Sequence, residues 1–567
     1  MNKRLVTLAA LGIMVILLSA ACAKAATPSP TPTQPPAEES AVVPTVEPTP
    51  TEAPPEPVVL RVGTTFQPNS FSPFLTSVGW AFTDLIGEGF TGYGLDCKIA
   101  PRLAESMEVS DDGLTWTIHL RPGITYNDGQ PLDAPVLVES WEWISSVEAK
   151  EWFPPTRLAV SWEAVDDLTF RFTTSDPLGS FGTYDSVWQW PFPPQVWGST
   201  DDTTMWNVDA DTNPVGTGPY TLTEWVRGDH LIFDAREDYY LGKPPIDRII
   251  LQIYANWDAL INAFLGGEID MTDSYFPAQY FDTLEDTPNV TIVEQPPAFS
   301  YQLVFNVKEG GKKHPAIEDP KVREAIDYAI DRQQLVDLVL LGHGVTCRNT
   351  WNCGSIYEWA IDPSLTVTPF DPDKARSILD EAGYVDSDSD GVREGADGED
   401  LKFRLYFQAD KAPQITVSDM ISQWLSQVGI ATTVEAMEPG TLQTFVMKER
   451  DYDMALRLRA ADPDPAIIDY QWSCWAAAAG TGNATGYCNP EVDDLIFKTI
   501  TATGQDRLPP LYEAERIFAR DRPLLLLAGE NAVQAYRNDR FAFPDNPCNH
   551  LGMNWNWTPL MLAQPVR

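Results

Sequence analysis

Positive charge is scarce in this 567-residue chain: 39 Lys and Arg stand against 81 Asp and Glu, a formal net charge of −42. So acidic a protein repels the phosphate backbone that supplies most nucleic-acid affinity, which excludes DNA and RNA as partners. At physiological salt, screening over roughly 8 Å leaves this charge serving solubility, and it names no substrate. Histidine is rarer still. His119, His230, His314, His343 and His550 are scattered and no CxxC pair occurs, so no zinc-type ligand set is written here. HExxH, GxSxG, SxxK and GxxxxGK[ST] strings are also missing, which removes the local signatures of zinc peptidases, serine hydrolases and P-loop NTPases. No period of about 20–50 residues repeats, excluding solenoids and propellers. Beyond the first 22 residues no run reaches the roughly 18 apolar positions that a bilayer span needs.

What is present is enough apolar sequence, 43% of the chain, for two or three packed domains. Residues 1–22 read as an export signal, with Lys3 and Arg4, an apolar core over 5–18, and Ser19, Ala20 and Ala21 before Cys22. Cys22 is the expected lipidation point of a bacterial lipoprotein. Residues 23–57 are dominated by Pro, Thr, Ala and Glu, a composition that buries no core and extends as a tether of up to roughly 100 Å. With Cys22 set aside, six of the seven cysteines remain, enough for three disulfides in an oxidising compartment. Connectivity stays open: Cys347 and Cys353 are sequence neighbours, as are Cys474 and Cys488, leaving Cys97 and Cys548.

The run VVLRVG at 58–63 predicts a strand, and LTWTIHL at 114–120 alternates with Leu114, Trp116, Ile118 and Leu120 on one face and His119 on the other. Apolar residues at helical spacing over 322–341, ended by Gly342, predict one packing helix. Segments 401–407, 421–428 and 430–434 read as strand, helix and strand, a β-α-β unit. The fold class is therefore α/β. Gly216 and Gly218 around Thr217, with Pro219 and Tyr220 following, predict a shaped loop, either a structural turn or a cleft edge that offers backbone N–H groups to a ligand. Asp386, Asp388 and Asp390, then Val392, Glu394 and Asp397, follow the ligand spacing of a calcium loop, with Asp where Glu is usual at the last position. A structural calcium is one reading of it and a solvated polar hairpin the other; no other cofactor is expected.

Five separated segments together resemble family 5 of the extracytoplasmic solute-binding proteins, receptors of peptide, nickel and related ABC importers. They are IAPRLAESMEVSDDGLTWTIHLRPGITYNDGQPLDA from Ile99, NPVGTGPYTLTEWVRGD from Asn213, YYLGKPPIDRI from Tyr239 with GGEIDM from Gly266, VREAIDYAIDRQQLV from Val322, and ADPDP from Ala461 with NATGYCNPEVDDLI from Asn483. The resemblance implies a two-lobed periplasmic-binding-protein type II fold with a hinge. Lobe I is expected at 58–98, 213–300 and 535–567, an inserted subdomain at 99–212, and lobe II at 301–534. It also implies a monomer held to the membrane only by its lipid anchor, with permease and ATPase as protein partners and a small peptide or other solute as ligand.

By the same resemblance Asp462, in the ADPDP turn, is the expected partner of a ligand ammonium, with a one-residue gap relative to the peptide binders. Lys411 is the expected carboxylate partner. Arg459, with Arg457 alternating beside it, Trp472, Trp475 and Tyr220 complete the expected cleft residues. The expected function is capture of an oligopeptide-like solute, with an oligosaccharide receptor of the same family as the alternative. Outside that class the alternatives are a secreted hydrolase, which would consume what it binds, and a surface sensor or adhesin without an importer.

Overall fold

The structure is a computed structural model of the chain and describes residues 56–66, 84–96, 98–146, 154–191, 193, 214–273, 276–353, 358–409, 411–460, 464–480, 482–545 and 558–566. The export signal, Cys22, nearly all of the tether, Cys97, Asp462 and Cys548 lie outside the described residues.

One large sheet organises the body. Its order is Ala431–Met437, Lys402–Gln408, Met454–Ala460, Val290–Phe305, Leu524–Arg537, Met271–Thr272, Val59–Thr64, Arg248–Ile253, His230–Ala235 and Tyr220–Val226, with Gly344–Thr346 added on Leu524–Arg537. The first three strands run parallel. At the other side Val59–Thr64 runs parallel to both Arg248–Ile253 and Met271–Thr272. Helices cover both faces of the second half, as parallel strands require: Leu303, Leu405, Met454 and Val417 fill one layer, Val304, Tyr406, Ala455 and Ile468 the other. The predicted β-α-β unit is the strand Lys402–Gln408, the helix Ala412–Ser426 and the strand Ala431–Met437.

The two halves of this sheet meet through the long strands Val290–Phe305 and Leu524–Arg537, which pair antiparallel. Register shifts fall between Gln295 and Pro297, Pro297 and Phe299, and Ser300 and Gln302. Bulges of this kind bend and twist a strand, and here they cluster in the joining segment.

A separate antiparallel sheet, Ala104–Val109, Thr115–Leu120, Thr169–Thr174 and Ala159–Asp166 in that order, stands in the region of the expected insertion. The alternation read from 114–120 places Trp116, Ile118 and Leu120 in its core with Phe170 and Phe172. The helix Ala134–Ser146 closes that core through Trp141, whose ring lies 4.7 Å from Phe172.

One expectation is corrected. The single helix over 322–341 is two, Pro320–Ala329 and Arg332–Leu338, because the Asp331 carboxylate accepts from the Gln334 N–H and starts a new helix. The Gly216 and Gly218 loop is shaped by close backbone approach: a Cβ at either would meet the Ile86 backbone, and Gly218 and Tyr220 donate their N–H groups to Ile86 O and Leu85 O. Disulfides join Cys347 to Cys353 and Cys474 to Cys488.

Candidate functional site

Loops diverge at the carboxyl ends of parallel strands, which is where open α/β sheets bind small molecules. Gln408, Met437 and Ala460 end the parallel strands of the second half; Thr64, Ile253 and Thr272 end those of the first. In the first half Thr64 Oγ1 donates to Asp273 Oδ2 at 2.6 Å, and Gln534 Nε2 donates to the Asp273 carbonyl at 2.8 Å, tying this edge to a long strand.

In the second half burial falls along Met454–Ala460, from the enclosed Met454, Ala455 and Leu456 to the half-buried Arg457, Leu458, Arg459 and Ala460. Strand alternation puts Arg457 and Arg459 on one face. Across the ladder they stand opposite Gln302 and Ser300, both buried. The Arg459 guanidinium lies 6.0 Å from the Tyr470 ring centre. Lys411 is exposed at the start of the helix Ala412–Ser426. Its charge acts on Glu530 of the long strand, whose carboxyl burial pushes up to about 7.

The inserted region reaches the second half at the same end. Arg157 donates to Asp469 Oδ2 at 2.7 Å and lies over the Trp475 ring, while Trp475 Nε1 donates to Asp469 Oδ1 at 2.9 Å. Arg507 donates through both terminal nitrogens to the Asp464 carboxylate and through Nη1 to Thr183 Oγ1 at 3.0 Å. Beside this pair the Asp185 carboxyl accepts from Ser180 Oγ at 2.6 Å; burial holds it up to about 7, and the Asp464 charge adds to that.

Of the sequence-expected site residues, Lys411, Arg459 and Trp475 stand at this end of the second half, and Asp462 lies just before the described Asp464. Trp472 is a core residue, 2% exposed and stacked on Phe518 at 3.7 Å. Tyr220 is also enclosed, at 0% exposure, its hydroxyl donating to Ile246 O among Leu231, Phe233 and Ile249. Sequence reasoning missed Arg157, Asp185, Arg507 and Glu530. Only Asp464, inside the ADPDP turn, carried a local signal.

Away from the crevice, carboxylate oxygens of Asp386, Asp388 and Glu394 come within 4.8 Å of one another. All five carboxylates of the loop also accept backbone N–H groups: Asp386 from Ser389 and Gly391, Asp388 from Asp390, Asp390 from Val392, Glu394 from Ser387 and Asp397 from Glu399. Of the five expected carboxylates, three converge. Three oxygen ligands suit a hard cation such as calcium, which takes six to eight and completes its shell with carbonyls and water.

Residues 98–479 match the family model described as bacterial extracellular solute-binding proteins, family 5 middle. The chain belongs to family 5 of the bacterial extracellular solute-binding proteins. Among its relatives, the glutathione-binding protein GsiB of Pectobacterium atrosepticum is 26% identical over 489 residues, covering 84% of this chain and 89% of GsiB. The oligopeptide-binding protein AppA of Bacillus subtilis, solved with a nonapeptide, superposes with a TM-score of 0.75 at 20% identity, covering 90% of this chain and 100% of AppA. NikZ of Campylobacter jejuni, solved with Ni(L-His), gives 0.73 at 21% identity, covering 86% and 94%. The family 5 receptor thus has the two-lobed type II fold of these binding proteins, with the antiparallel subdomain inserted. Among the described residues no helix is long and apolar enough to cross a membrane.

Proposed function

We propose that this receptor serves an ABC importer, closing its two lobes on an oligopeptide-like solute and delivering that solute intact to the permease. The observation that carries this reading is the hinge-like junction: within the described sheet the halves meet through two strands, and the irregularities of register gather there. Ligand contacts made to both lobes exist only in the closed form, so binding shifts the population toward closure by its differential affinity. The peptide in AppA and the glutathione in the name of GsiB support a peptide-like ligand.

In this reading lobe I takes 58–98, 213–300 and 535–567, the inserted subdomain 99–212 and lobe II 301–534. Asp462, Lys411, Arg459 and Trp475 meet the solute. Cys22 carries the lipid, residues 23–57 are the tether, and the protein acts as a monomer outside the cytoplasmic membrane. Asp386, Asp388 and Glu394 hold a structural calcium, with no part in capture.

Native mass spectrometry of the protein as purified tests the ligand class. A retained mass that fragments as a peptide is the expected result. A hexose ladder would move the assignment to an oligosaccharide receptor, and conversion of an added peptide to products would make the protein a hydrolase.

A further inference from the structure

Acids drawn out of water in the folded body are usually met by a cation or a hydrogen bond. Asp327 meets Arg332 and Arg522, and Asp270 meets Arg61 and Arg540. Glu88 accepts from the Tyr239 and Tyr240 hydroxyls, Asp185 from Ser180, and Glu515 from the Asp362 N–H. Glu530 departs from this pattern. It is half-buried, yet no hydrogen bond or ion pair reaches its carboxylate from the described residues. Burial pushes it up to about 7, and the Lys411 charge, acting from beyond ion-pair distance, opposes that shift.

The ladder places Glu530 at the crevice. It stands opposite Phe299, which in turn faces Ala460, the last residue of Met454–Ala460, and on its other side it pairs with Gly344. Glu530 thus lies in the row where the parallel strands of the second half stop, between two of the register shifts that mark the junction of the halves. The preceding Gly529 fixes its face. A Cβ on Gly529 would lie 2.8 Å from Pro297 Cβ and 3.0 Å from Cys353 Sγ, so strand alternation turns Glu530 away from that disulfide. Tyr301 packs on the side of the sheet that the helix Ala412–Ser426 covers through Val417 and Ile421, and its phenol is held above the ordinary range by burial first and by the Glu530 charge second.

A half-buried carboxylate without a partner is costly, and a cation set against it offsets that cost. We propose that Glu530 is a cation subsite at the junction of the two lobes that receives an ammonium or guanidinium of the solute, making positive charge on the ligand a requirement for tight capture. The proposal rests on the receptor reading above and narrows it to a substrate class. With Lys411 as the expected partner of a solute carboxylate, the two residues offer opposite charges to one zwitterionic solute. A basic side chain and the α-ammonium share this chemistry, and the test separates them.

Three pools of three- to five-residue peptides are offered to the ligand-stripped protein: N-acetylated peptides containing Lys or Arg, free-amino peptides with norleucine or citrulline in those places, and N-acetylated peptides with the same neutral residues. Retention is read by native mass spectrometry. The best-retained cationic peptide and its neutral twin are then titrated calorimetrically into the wild type, Glu530→Gln and Glu530→Asp. Retention of a cationic pool over the neutral one is expected, the first pool assigning the cation to a basic side chain and the second to the α-ammonium. Glu530→Gln should weaken the cationic peptide by about 10- to 100-fold and the neutral twin by less than about twofold. Glu530→Asp keeps the charge and should keep part of the preference. The ligand-stripped Glu530→Gln protein should melt no lower than the wild type, since the substitution removes no internal partner. Equal retention of all the pools, or a Glu530→Gln variant that weakens both twins alike or neither, overturns the cation subsite and leaves the receptor reading standing. Retention of no pool overturns both.

Discussion

Arg507 and Asp464, 43 positions apart, form a two-pronged ion pair with side chains 2% and 7% exposed, and the same guanidinium reaches across to Thr183 of the inserted region. The pair thus ties the ADPDP turn to a neighbouring element at the crevice end of the second lobe. Removing one partner strands a buried charge, which costs more than the pair itself contributes. Arg507→Met should lower unfolding free energy by about 3–5 kcal/mol in urea titration. The double variant Arg507→Met with Asp464→Leu should recover most of that loss.

Asp185 beside this pair gives a pH dependence of known sign. Its folded value, about 7, lies above the ordinary 3.8, so between these values the folded state holds a proton that the unfolded state has released. Stability from this group is full below about pH 4 and is lost as pH rises toward 7. Asp185→Asn should therefore flatten the wild-type decline in denaturation midpoint between pH 4 and 7. An unchanged pH profile in the variant contradicts the assignment.

Gly216 provides a test of backbone approach. A Cβ there would lie 2.1 Å from the Ile86 carbonyl oxygen, which a strand-linked segment cannot yield without moving. Gly216→Ala should cost about 1–3 kcal/mol, the usual penalty of overpacking. The same change at the open turn residue Gly228, which has positive φ and nothing within 4 Å, acts through backbone strain alone and serves as the comparison.

For the acidic loop, calcium in excess of its dissociation constant should raise the melting temperature. A hundredfold excess stabilises by about 2.7 kcal/mol. EGTA should reverse the rise and Asp386→Asn should abolish it. An identical melting curve with calcium and with EGTA removes the ion from the account.

Much of the fold was legible because its signals are local. Alternation over 114–120 and the strand-helix-strand pattern over 401–434 each concern residues within a few positions of one another. Asp331 hid inside a helical pattern because apolar spacing continues past it, while its carboxylate caps the next turn. The site was less legible for a different reason. Arg157 and Asp469 are 312 positions apart, and no spacing within either segment records that the other will arrive. Trp472 shows the converse: a tryptophan beside a cleft-edge motif looks available in sequence, yet its ring completes the core against Phe518.

Closure around an intact solute is the central claim, and small-angle X-ray scattering of the mature receptor, with and without a saturating retained peptide, tests it most directly. The account predicts a smaller radius of gyration in the bound state, with the peptide recovered at its original mass when the protein is denatured. An unchanged radius at confirmed saturation, or a peptide recovered in pieces, would contradict it.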